Sequence, residues 1–464
     1  MRKNKRNYKY FFHTMGLLFF LILLVILAAN ILLPNRKFSE KENRVLASRP
    51  PAQLSQIASG RFEQKYETYV NDQFLFRDFW VSLKAGTDRL LGKTQGNGVY
   101  LGKDGFLMES FQSPSQEQLN ATAGAMINFA QKHPDLKQYA LIAPNSVNIL
   151  SDKLPAFAPA ADQNPYLDAM KSSLEPAGVT FIDVRDTLTK HKDDGIYYKT
   201  DHHWTTEGAY YAYLTAAGAM DINTGTVSYE QAPVTKDFKG TLSAKSGFRS
   251  GKKDQIDVFF PKGDVVSSIV NYVDEQQKSA SFYDTSKLKT RDKYALFFGG
   301  NYAQVKISTP IEENRTLLIL KDSYANCLVP FLAPHYRTIV MVDPRYYYGN
   351  LEELIQVEGI QEVLYLYNAN TFFADTSLEL ALTPEESSSE TTDRKSQVSE
   401  PSATTDGSDL NDSDTNSSDI DNSDTNTDSS DTDNSDADSS DADSSDADSS
   451  DADSSDADSS DAEA

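Results

Sequence analysis

Two short segments of the sequence carry side chains that could perform acyl chemistry. Asp201, His202 and His203 follow one another directly, and Ser323 comes soon after an apolar run that ends at Leu320. A serine hydroxyl becomes a nucleophile when a histidine accepts its proton and a carboxylate orients that histidine. Alternate residues of an extended segment point to the same side, so Asp201 and His203 would share one side and His202 would face the other. This pattern predicts a triad of Ser323, His203 and Asp201.

The same residues also suit roles outside acyl chemistry. Ser323 or Asp322 could serve only as the cap of a following helix, and a histidine pair could make purely structural hydrogen bonds. The Asp201-His202-His203 run also resembles the name-giving motif of the DHH phosphoesterases, which hold metal ions. Those sites need further aspartates at other strand ends, and the body of this sequence has no Asp-x-Asp pattern to supply them. We therefore expect neither a metal nor a cofactor.

The segments around these residues alternate between short apolar runs and longer helical patterns. The predicted strands are Gln138–Ala143, Val179–Val184, Thr316–Leu320, Thr338–Val342 and Glu362–Tyr367. The predicted helices are Ser115–Lys132, Pro165–Glu175, Thr205–Met220, Tyr324–Leu332 and Gly349–Val357. This alternation is typical of an α/β fold in which helices flank a buried parallel sheet. Ligands of such sheets bind beyond the carboxyl ends of the strands, so the functional residues are expected there.

Two regions depart from this alternation. Residues 34–110 predict amphipathic helices broken near Asn71-Asp72, with their aromatic residues in the core, followed by a hairpin over Gly98–Glu109. Residues 111–383 would form the α/β domain, and residues 221–314 an insertion or cap within it. Short β-like pieces in that insertion are Gln255–Phe260, Tyr294–Phe298 and Ala303–Ile307.

The two ends of the chain have compositions unlike the body. Phe11 to Leu33 is an uncharged run of 23 residues preceded by five basic residues, which predicts a cytoplasmic stub of residues 1–10 and a single-pass signal anchor over residues 11–33. Everything after it would then lie outside the cytoplasm at the cell membrane. A cleaved signal peptide is the alternative, although such a segment usually has a shorter apolar run.

The C-terminal residues 384–464 carry 27 acidic and two basic side chains, which gives this tail a net charge of −25. The net charge of the whole chain is −24. Repeats of Ser-Ser-Asp-Ala-Asp without aromatic residues predict a disordered spacer or stalk, and diffuse calcium association is the alternative. The remaining residues carry a net charge of +1, which argues against a nucleic-acid-binding protein. The single cysteine, Cys327, allows no intrachain disulfide.

Several longer motifs resemble the DHHW family of exported bacterial proteins, which is related to the SGNH-hydrolase-like alginate O-acetylation proteins. The similar segments are YVNDQFLFRDFW, GVYLGKDGFLME, TDHHWTTEGAYYAY, LKDSYANCLVPFLAPHY and VDPRYYYGN, in that order between Ser59 and Asp375. The resemblance implies an SGNH-hydrolase-like parallel sheet flanked by helices. It also implies that Asp201, His203 and Ser323 act on acyl groups of an extracellular polysaccharide.

Other side chains are predicted to bind the oxyanion or the substrate. Asn145 and Asn301 could each add a donor to the backbone N–H of the nucleophile, although both also suit ordinary turns. Arg345 and Tyr346 follow a strand end and could line a sugar cleft, hold an acyl donor or be structural. Trp204, beside the histidine pair, is included with them.

Together these features predict a membrane-anchored, extracytoplasmic, serine-dependent O-acetyltransferase or acetylesterase that modifies cell-surface or secreted polysaccharide. Cytoplasmic acyl donors do not reach such a domain, so a membrane-bound O-acyltransferase is the expected partner that supplies the acyl group. The alternative is a non-catalytic polysaccharide-binding or scaffolding protein of the cell surface. The two are separated by whether Ser323 lies within reach of His203.

Overall fold

The structure is a computed structural model that describes residues 2–39, 44–248, 251–263 and 267–383. The acidic tail, for which we predict disorder, lies outside the described residues. Within them, the helices are α1 Arg2–Leu32, α2 Leu54–Ala58, α3 Arg61–Gln73, α4 Arg77–Leu90, α5 Gln116–Lys132, α6 Ser146–Ile149, α7 Asn164–Leu174, α8 Arg185–Lys190, α9 Thr206–Ala219, α10 Thr241–Lys245, α11 Ala325–Leu332, α12 Leu351–Glu358, α13 Ala369–Ala374 and α14 Ser377–Leu382.

The strands of the same described residues are short. They are β1 Phe38–Ser39, β2 Arg44–Val45, β3 Gln95–Gly96, β4 Val99–Leu101, β5 Leu107–Glu109, β6 Lys137–Ala143, β7 Val179–Phe181, β8 Tyr229–Phe238, β9 Asp254–Pro261, β10 Ile269–Tyr272, β11 Gln277–Ser279, β12 Gln304–Ser308, β13 Thr316–Lys321, β14 Thr338–Val342 and β15 Glu362–Asn368.

The main sheet of the described residues has eight strands in the order β11-β10-β12-β14-β13-β15-β6-β7. The strands from β14 to β7 are mutually parallel, and each begins at or within a residue of its predicted start. Every residue of β13 and of β15 is buried, because helices cover both faces of this part of the sheet. The predicted α/β fold with a parallel sheet flanked by helices is confirmed.

The segment 221–314 does not form a separate cap. Its first part is the antiparallel β8–β9 hairpin, and its second part supplies β10, β11 and β12, which extend the main sheet by antiparallel pairing. The predicted strand Tyr294–Phe298 is wrong, since Tyr294–Leu296 is a 3₁₀ turn. Tyr294, Leu296 and Phe297 are all buried in the interior.

The region before the sheet contains α3, α4 and the predicted hairpin, here β4 and β5. The two helices are separated at Phe74–Phe76, slightly later than predicted. The expectation that their aromatic residues form a core is wrong: the exposed ones include Tyr66, Phe74, Phe76, Phe79 and Trp80. The reason is that α4 has no residue that is fully buried against the body.

The N-terminal helix α1 is the described helix whose length and composition suit a membrane span. Its segment Tyr8–Leu32 has a mean hydropathy of 2.9 and is not buried against the rest of the protein. A helix of 25 residues is long enough to cross a bilayer.

Candidate active site

Ser323 lies in the tight turn between β13 and α11, at the carboxyl edge of the sheet. The neighbouring Asp322 is fully buried, and its carboxylate accepts hydrogen bonds from the backbone N–H of Tyr324 at 2.8 Å and of Asn368 at 2.9 Å. Asp322 therefore caps the start of the helical segment and ties β13 to β15. This leaves the Ser323 hydroxyl available to another partner.

The partner of Ser323 is His203. The Nε2 atom of His203 lies 2.7 Å from Oγ of Ser323, and its Nδ1 atom lies 2.5 Å from Oδ1 of Asp201. Asp201 and His203 are 1% and 5% exposed, whereas Ser323 is partly exposed. The structure thus brings together the three residues that the sequence predicts as a triad, although Ser323 and His203 are 120 residues apart in the chain.

The loop that carries Asp201 and His203 is held by a carboxylate at the start of β9. Asp254 accepts hydrogen bonds from the backbone N–H groups of Lys199 and Thr200, both at 2.8 Å, and from the Thr200 hydroxyl. The loop is a bend rather than the extended segment that we expected. His202 is consequently not turned away, and its ring centroid lies 3.9 Å from that of His203.

Asp201 is fixed on its other oxygen by the first residue of α10. The backbone N–H and the hydroxyl of Thr241 donate to Oδ2 of Asp201 at 2.7 and 3.0 Å. Burial opposes ionisation of Asp201, but the nearby His202 and His203 and the hydrogen bonds from His203 and Thr241 outweigh it. The pKa of the Asp201 carboxyl is therefore held well below its usual range, and the group is an anion at neutral pH.

The imidazole of His203 is set up as a neutral base. Burial, followed by the electrostatic effect of the neighbouring His202, lowers the pKa of His203 despite the opposing effect of Asp201. Because the Asp201 anion can only accept, Nδ1 of His203 carries the proton of their hydrogen bond. The unprotonated Nε2 then faces Ser323 and can take its hydroxyl proton.

The sequence that forms this site also matches the model of a known protein family. The model of the DHHW protein family matches residues 81–342, which is more than half of the 464-residue chain. The matched region includes Asp201, His203 and Ser323. This chain belongs to the DHHW family. The resemblance that the sequence motifs indicate is confirmed.

The chain is also similar to individual proteins that have been named or solved. The probable alginate O-acetylase AlgJ of Pseudomonas aeruginosa is 25% identical over 160 residues, which cover 33% of this chain and 41% of AlgJ. The chain thus matches about two-fifths of the length of that curated relative. Among solved structures, a DHHW family protein from Eubacterium siraeum superposes with a TM-score of 0.53 at 22% identity, over 62% of this chain and 95% of the other.

A second solved structure is PatB1 of Bacillus cereus with a sulfonyl adduct. It has a TM-score of 0.51 and 20% identity, over 60% of this chain and 97% of PatB1. At these identities the two structures establish the fold. They agree with the SGNH-hydrolase-like α/β fold that the motifs imply.

In this DHHW protein an aromatic side chain that sequence reasoning missed supports the base. The ring of Tyr294 stacks on His203 with centroids 3.6 Å apart and planes 12° apart. Its hydroxyl donates to the backbone oxygen of Ser323 at 3.2 Å and contacts Sγ of Cys327 at 3.3 Å. Tyr294 therefore packs on the base and also holds the backbone of the nucleophile.

Trp204 does not line a substrate surface. It is fully buried, and its indole N–H donates to the backbone oxygen of Tyr324 at 3.1 Å. The prediction that it binds the oxyanion or the substrate is wrong, because both its faces and its one donor are used inside the fold. Its position at the DHHW motif instead fixes the turn that follows Ser323.

Asn145 is likewise committed to the interior. Its side-chain N–H₂ donates to the Tyr324 hydroxyl at 3.2 Å and to Asn368 at 3.0 Å, and its oxygen accepts from Gln163 and from the backbone of Asn370. No amide hydrogen is left for an oxyanion. The predicted oxyanion role of Asn145 is therefore wrong, and the residue connects the ends of β6 and β15.

A buried cation under the site orients Asn301. The ammonium group of Lys321 lies 3.1 Å from Oδ1 of Asn301, 2.9 Å from Oδ1 of Asn326 and 3.8 Å from Oδ2 of Asp343. Burial, opposed by Asp343, lowers the pKa of Lys321 to about 8. Since the ammonium needs an oxygen partner, the Asn301 amide nitrogen faces away from it. That nitrogen has no partner among the described residues.

Arg345 is paired inside the protein. Its Nε and Nη2 atoms donate to the two oxygens of Asp343 at 2.9 and 2.8 Å, and its guanidinium lies 5.4 Å from the centre of the Tyr346 ring. This bidentate ion pair anchors the residues that follow β14. A contact of Arg345 or Tyr346 with substrate stays a prediction.

Asp201, His202 and His203 are also the group of described residues whose ligand atoms lie close enough, within 4.8 Å of one another, to hold a metal ion. Their hydrogen bonds do not suit that use. Both oxygens of Asp201 accept from protein donors, and the two nitrogens of His203 face Asp201 and Ser323. A metal ion would have to replace the contacts that align the three side chains.

Proposed function

We propose that this protein is a serine-dependent O-acyltransferase or acylesterase that acts on polysaccharide outside the cytoplasm. The single observation that carries the proposal is the 2.7 Å contact of Ser323 Oγ with His203 Nε2, in line with the 2.5 Å contact of His203 Nδ1 with Asp201. A purely scaffolding protein has no need for a serine, an imidazole and a buried carboxylate in this order. The geometry therefore favours the enzyme over the non-catalytic alternative.

The reaction would proceed through an acyl-serine. Oγ of Ser323 attacks the carbonyl carbon of an acyl ester while Nε2 of His203 takes the hydroxyl proton. The tetrahedral intermediate then breaks its bond to the leaving alcohol, which receives that proton from Nε2. In the second half, His203 deprotonates an acceptor hydroxyl that attacks the acyl-serine and regenerates Ser323. A sugar hydroxyl as acceptor makes the enzyme a transferase, and water makes it an esterase.

The oxyanion of both intermediates would be held beside Ser323. The backbone N–H of Ser323 has no hydrogen-bond partner among the described residues and precedes the N-terminus of α11, where the helix dipole favours negative charge. The outward-facing amide nitrogen of Asn301 is the second donor that we propose. Its orientation by Lys321 provides the preorganisation that such a donor needs.

The substrate class and the location come from other observations. The alginate O-acetylase name of the AlgJ relative supports a polysaccharide as acceptor. The apolar segment Tyr8–Leu32 supports a single-pass anchor at the cell membrane. With the body outside the cytoplasm, a membrane-bound O-acyltransferase remains the donor partner that we propose. We likewise propose the domain boundaries: a cytoplasmic stub of residues 1–10, an anchor of residues 11–33 and a helical and hairpin region of residues 34–110. The α/β domain then covers residues 111–383, and the acidic tail covers residues 384–464.

Labelling with a serine-directed acyl or sulfonyl probe tests the proposal. The probe is expected to modify the wild-type protein at Ser323 and to leave Ser323→Ala unmodified, as measured by intact-protein and peptide mass spectrometry. Ser151→Ala, at an exposed serine of the same body, is the matched control and should label like the wild type. Labelling that is equal in all three proteins would reject the serine mechanism.

The polysaccharide is tested in cells. Deletion of the gene is expected to change the acyl content of wall or secreted glycans, and complementation with Ser323→Ala should fail to restore it. Restoration by Ser323→Ala would favour the scaffolding alternative instead.

A further inference from the structure

Helix α4 carries an apolar stripe on a surface that faces solvent. Its members, Phe76 just before the helix and Phe79, Trp80, Leu83 and Leu90 within it, are 71, 58, 48, 48 and 90% exposed. Steps of three, four and seven residues place Phe79, Trp80, Leu83 and Leu90 on one side of the helix. A soluble domain normally buries such a stripe, and an exposed one marks an interaction surface.

The stripe begins beside the end of the apolar helix α1. The backbone N–H of Leu75 donates to Oδ1 of Asn30, in the last turn of α1, at 2.8 Å. The backbone of Arg36 exchanges two hydrogen bonds with the side chain of Gln73, at 2.9 and 3.0 Å, and its guanidinium pairs with Asp78 at 3.1 Å. These bonds connect the chain that leaves α1 to the corner between α3 and α4.

We propose that the α4 stripe lies in the headgroup region of the lipid bilayer that α1 crosses, which gives the protein a second membrane contact. This inference rests on the proposed anchor and not on the acyl chemistry. If Tyr8–Leu32 spans the hydrocarbon core, Asn30 stands at its edge, and the hydrogen bond to Leu75 puts Phe76 at the same depth. Trp, Phe and Leu on one side of a helix are the side chains that favour this interface.

The charge of this region suits a lipid partner. Residues 34–93 contain 11 Lys and Arg against 7 Asp and Glu, a net charge of +4, in a chain whose net charge is −24. This excess of basic side chains complements an anionic membrane surface, and the link of the stripe to the end of α1 favours lipid over a protein partner. A body attached by α1 alone could rotate about the anchor, whereas this second contact restricts its orientation toward the bilayer.

Fluorescence of the full chain in lipid nanodiscs tests the inference. The protein has two tryptophans, of which Trp204 is fully buried and Trp80 is not. Nanodiscs made with phospholipids brominated near the headgroup end of their chains are expected to quench the emission, relative to unbrominated nanodiscs. Trp80→Phe should abolish that quenching while keeping the emission of Trp204.

A tryptophan placed elsewhere on the body is the control. Phe157 is fully exposed in a turn, so Phe157→Trp in the Trp80→Phe background should be quenched by aqueous iodide and not by brominated lipid. Trp80 that responds only to iodide would overturn the inference. So would Trp80 that responds to neither quencher, since a second copy or another protein would then cover the stripe.

The nanodisc experiment and the labelling of Ser323 together distinguish this inference from the other proposals. A chain that does not stay with the nanodiscs would reject the anchor, and the α4 contact with it. A chain that shows lipid quenching of Trp80 but no labelling of Ser323 would keep the membrane contact and reject the acyl chemistry.

Discussion

At the scale of single residues, the candidate site depends on how each polar atom is used. Asp322 caps the turn, so Ser323 can bond to His203. Asp201 accepts from His203 and from Thr241, and it is held as an anion that orients the base. Asn145, in contrast, uses all its donors inside the fold and has none for a reaction.

The three triad residues should act as one unit. Ser323→Ala and His203→Ala are each expected to lower kcat for an activated acyl ester by about 10⁶-fold, and the double variant should be scarcely slower than either single one. Asp201→Asn should lose less, about 10⁴-fold, because it misorients the base without removing it. Steady-state kinetics with circular dichroism as a check of folding measures this. Effects of Ser323→Ala and His203→Ala that multiply would show that the two do not share a step.

The pH dependence follows from the environment of His203. Its neutral form is the base, and burial together with His202 lowers its pKa below the usual value of about 6.5. Activity should therefore be kept as the pH falls from 7 to 6 and be lost only at lower pH, where His203 becomes protonated. In His202→Ala the lowering effect of His202 on the pKa of His203 is gone, so the acid limb of the kcat/KM profile should move to higher pH. A wild-type profile that is already half lost at pH 6.5 would contradict this assignment.

At the scale of elements, the site lies where the sheet meets the segment before α10. Gly240 precedes Thr241, and a Cβ atom built on Gly240 would lie 2.2 Å from Cβ of Asp201. This approach is closer than any side chain permits, so the glycine is what lets α10 reach the carboxylate. The loop that carries Asp201 and His203 thus fits against α10 only with a glycine at position 240.

Gly240→Ala should uncouple the two elements. The added methyl must push Asp201 away from Thr241 or from His203, so kcat is expected to fall at least 10-fold, on the scale of a misplaced catalytic group. Gly218→Ala in α9 is the control, because its Cβ would meet nothing within 4 Å. That variant should keep full activity and gain up to about 1 kcal/mol of stability. Full activity of Gly240→Ala would show that the close approach is not needed.

At the scale of the whole molecule, the chain divides into parts with different physical characters. An apolar helix precedes a nearly neutral body, and an acidic tail follows it. The described fold closes with α14, whose Leu378 and Leu382 are 3% and 4% exposed. The body therefore completes its packing just before the tail begins at Pro384.

Removal of residues 384–464 should leave the body as stable as before. The tail has no apolar pattern with which to pack, so the melting temperature is expected to change by less than about 5 °C. A truncation after Asp375 is the contrasting control, since it also removes Leu378 and Leu382, each worth about 1.5 to 3 kcal/mol when buried. That truncation should melt several degrees lower in a calorimetric scan. A similar fall on removal of the tail alone would mean that the tail packs on the fold.

The parallel strands, the helices between them and the serine at a strand end were predictable from the sequence alone. The strands and helices follow from local periodicity in the sequence. Because the carboxyl ends of parallel strands meet at one edge of the sheet, Ser323 and His203 could be predicted to lie close together. Asp201 and His203 were predictable as partners because they are two residues apart, even though their loop is a bend. The motifs of the DHHW family were continuous in sequence and so were equally accessible.

Only the tertiary structure decided which other groups serve the site. Thr241 and Tyr294 reach Asp201 and His203 from 40 and more residues away, and no local pattern records such contacts. The insertion joins the sheet through β12, which pairs with β14 from later in the chain. The local sequence of the insertion therefore does not indicate that its strands extend the main sheet. The burial of a side chain likewise depends on what packs against its segment. Trp204 is buried and the aromatic residues of α4 are exposed, although both are large aromatic side chains.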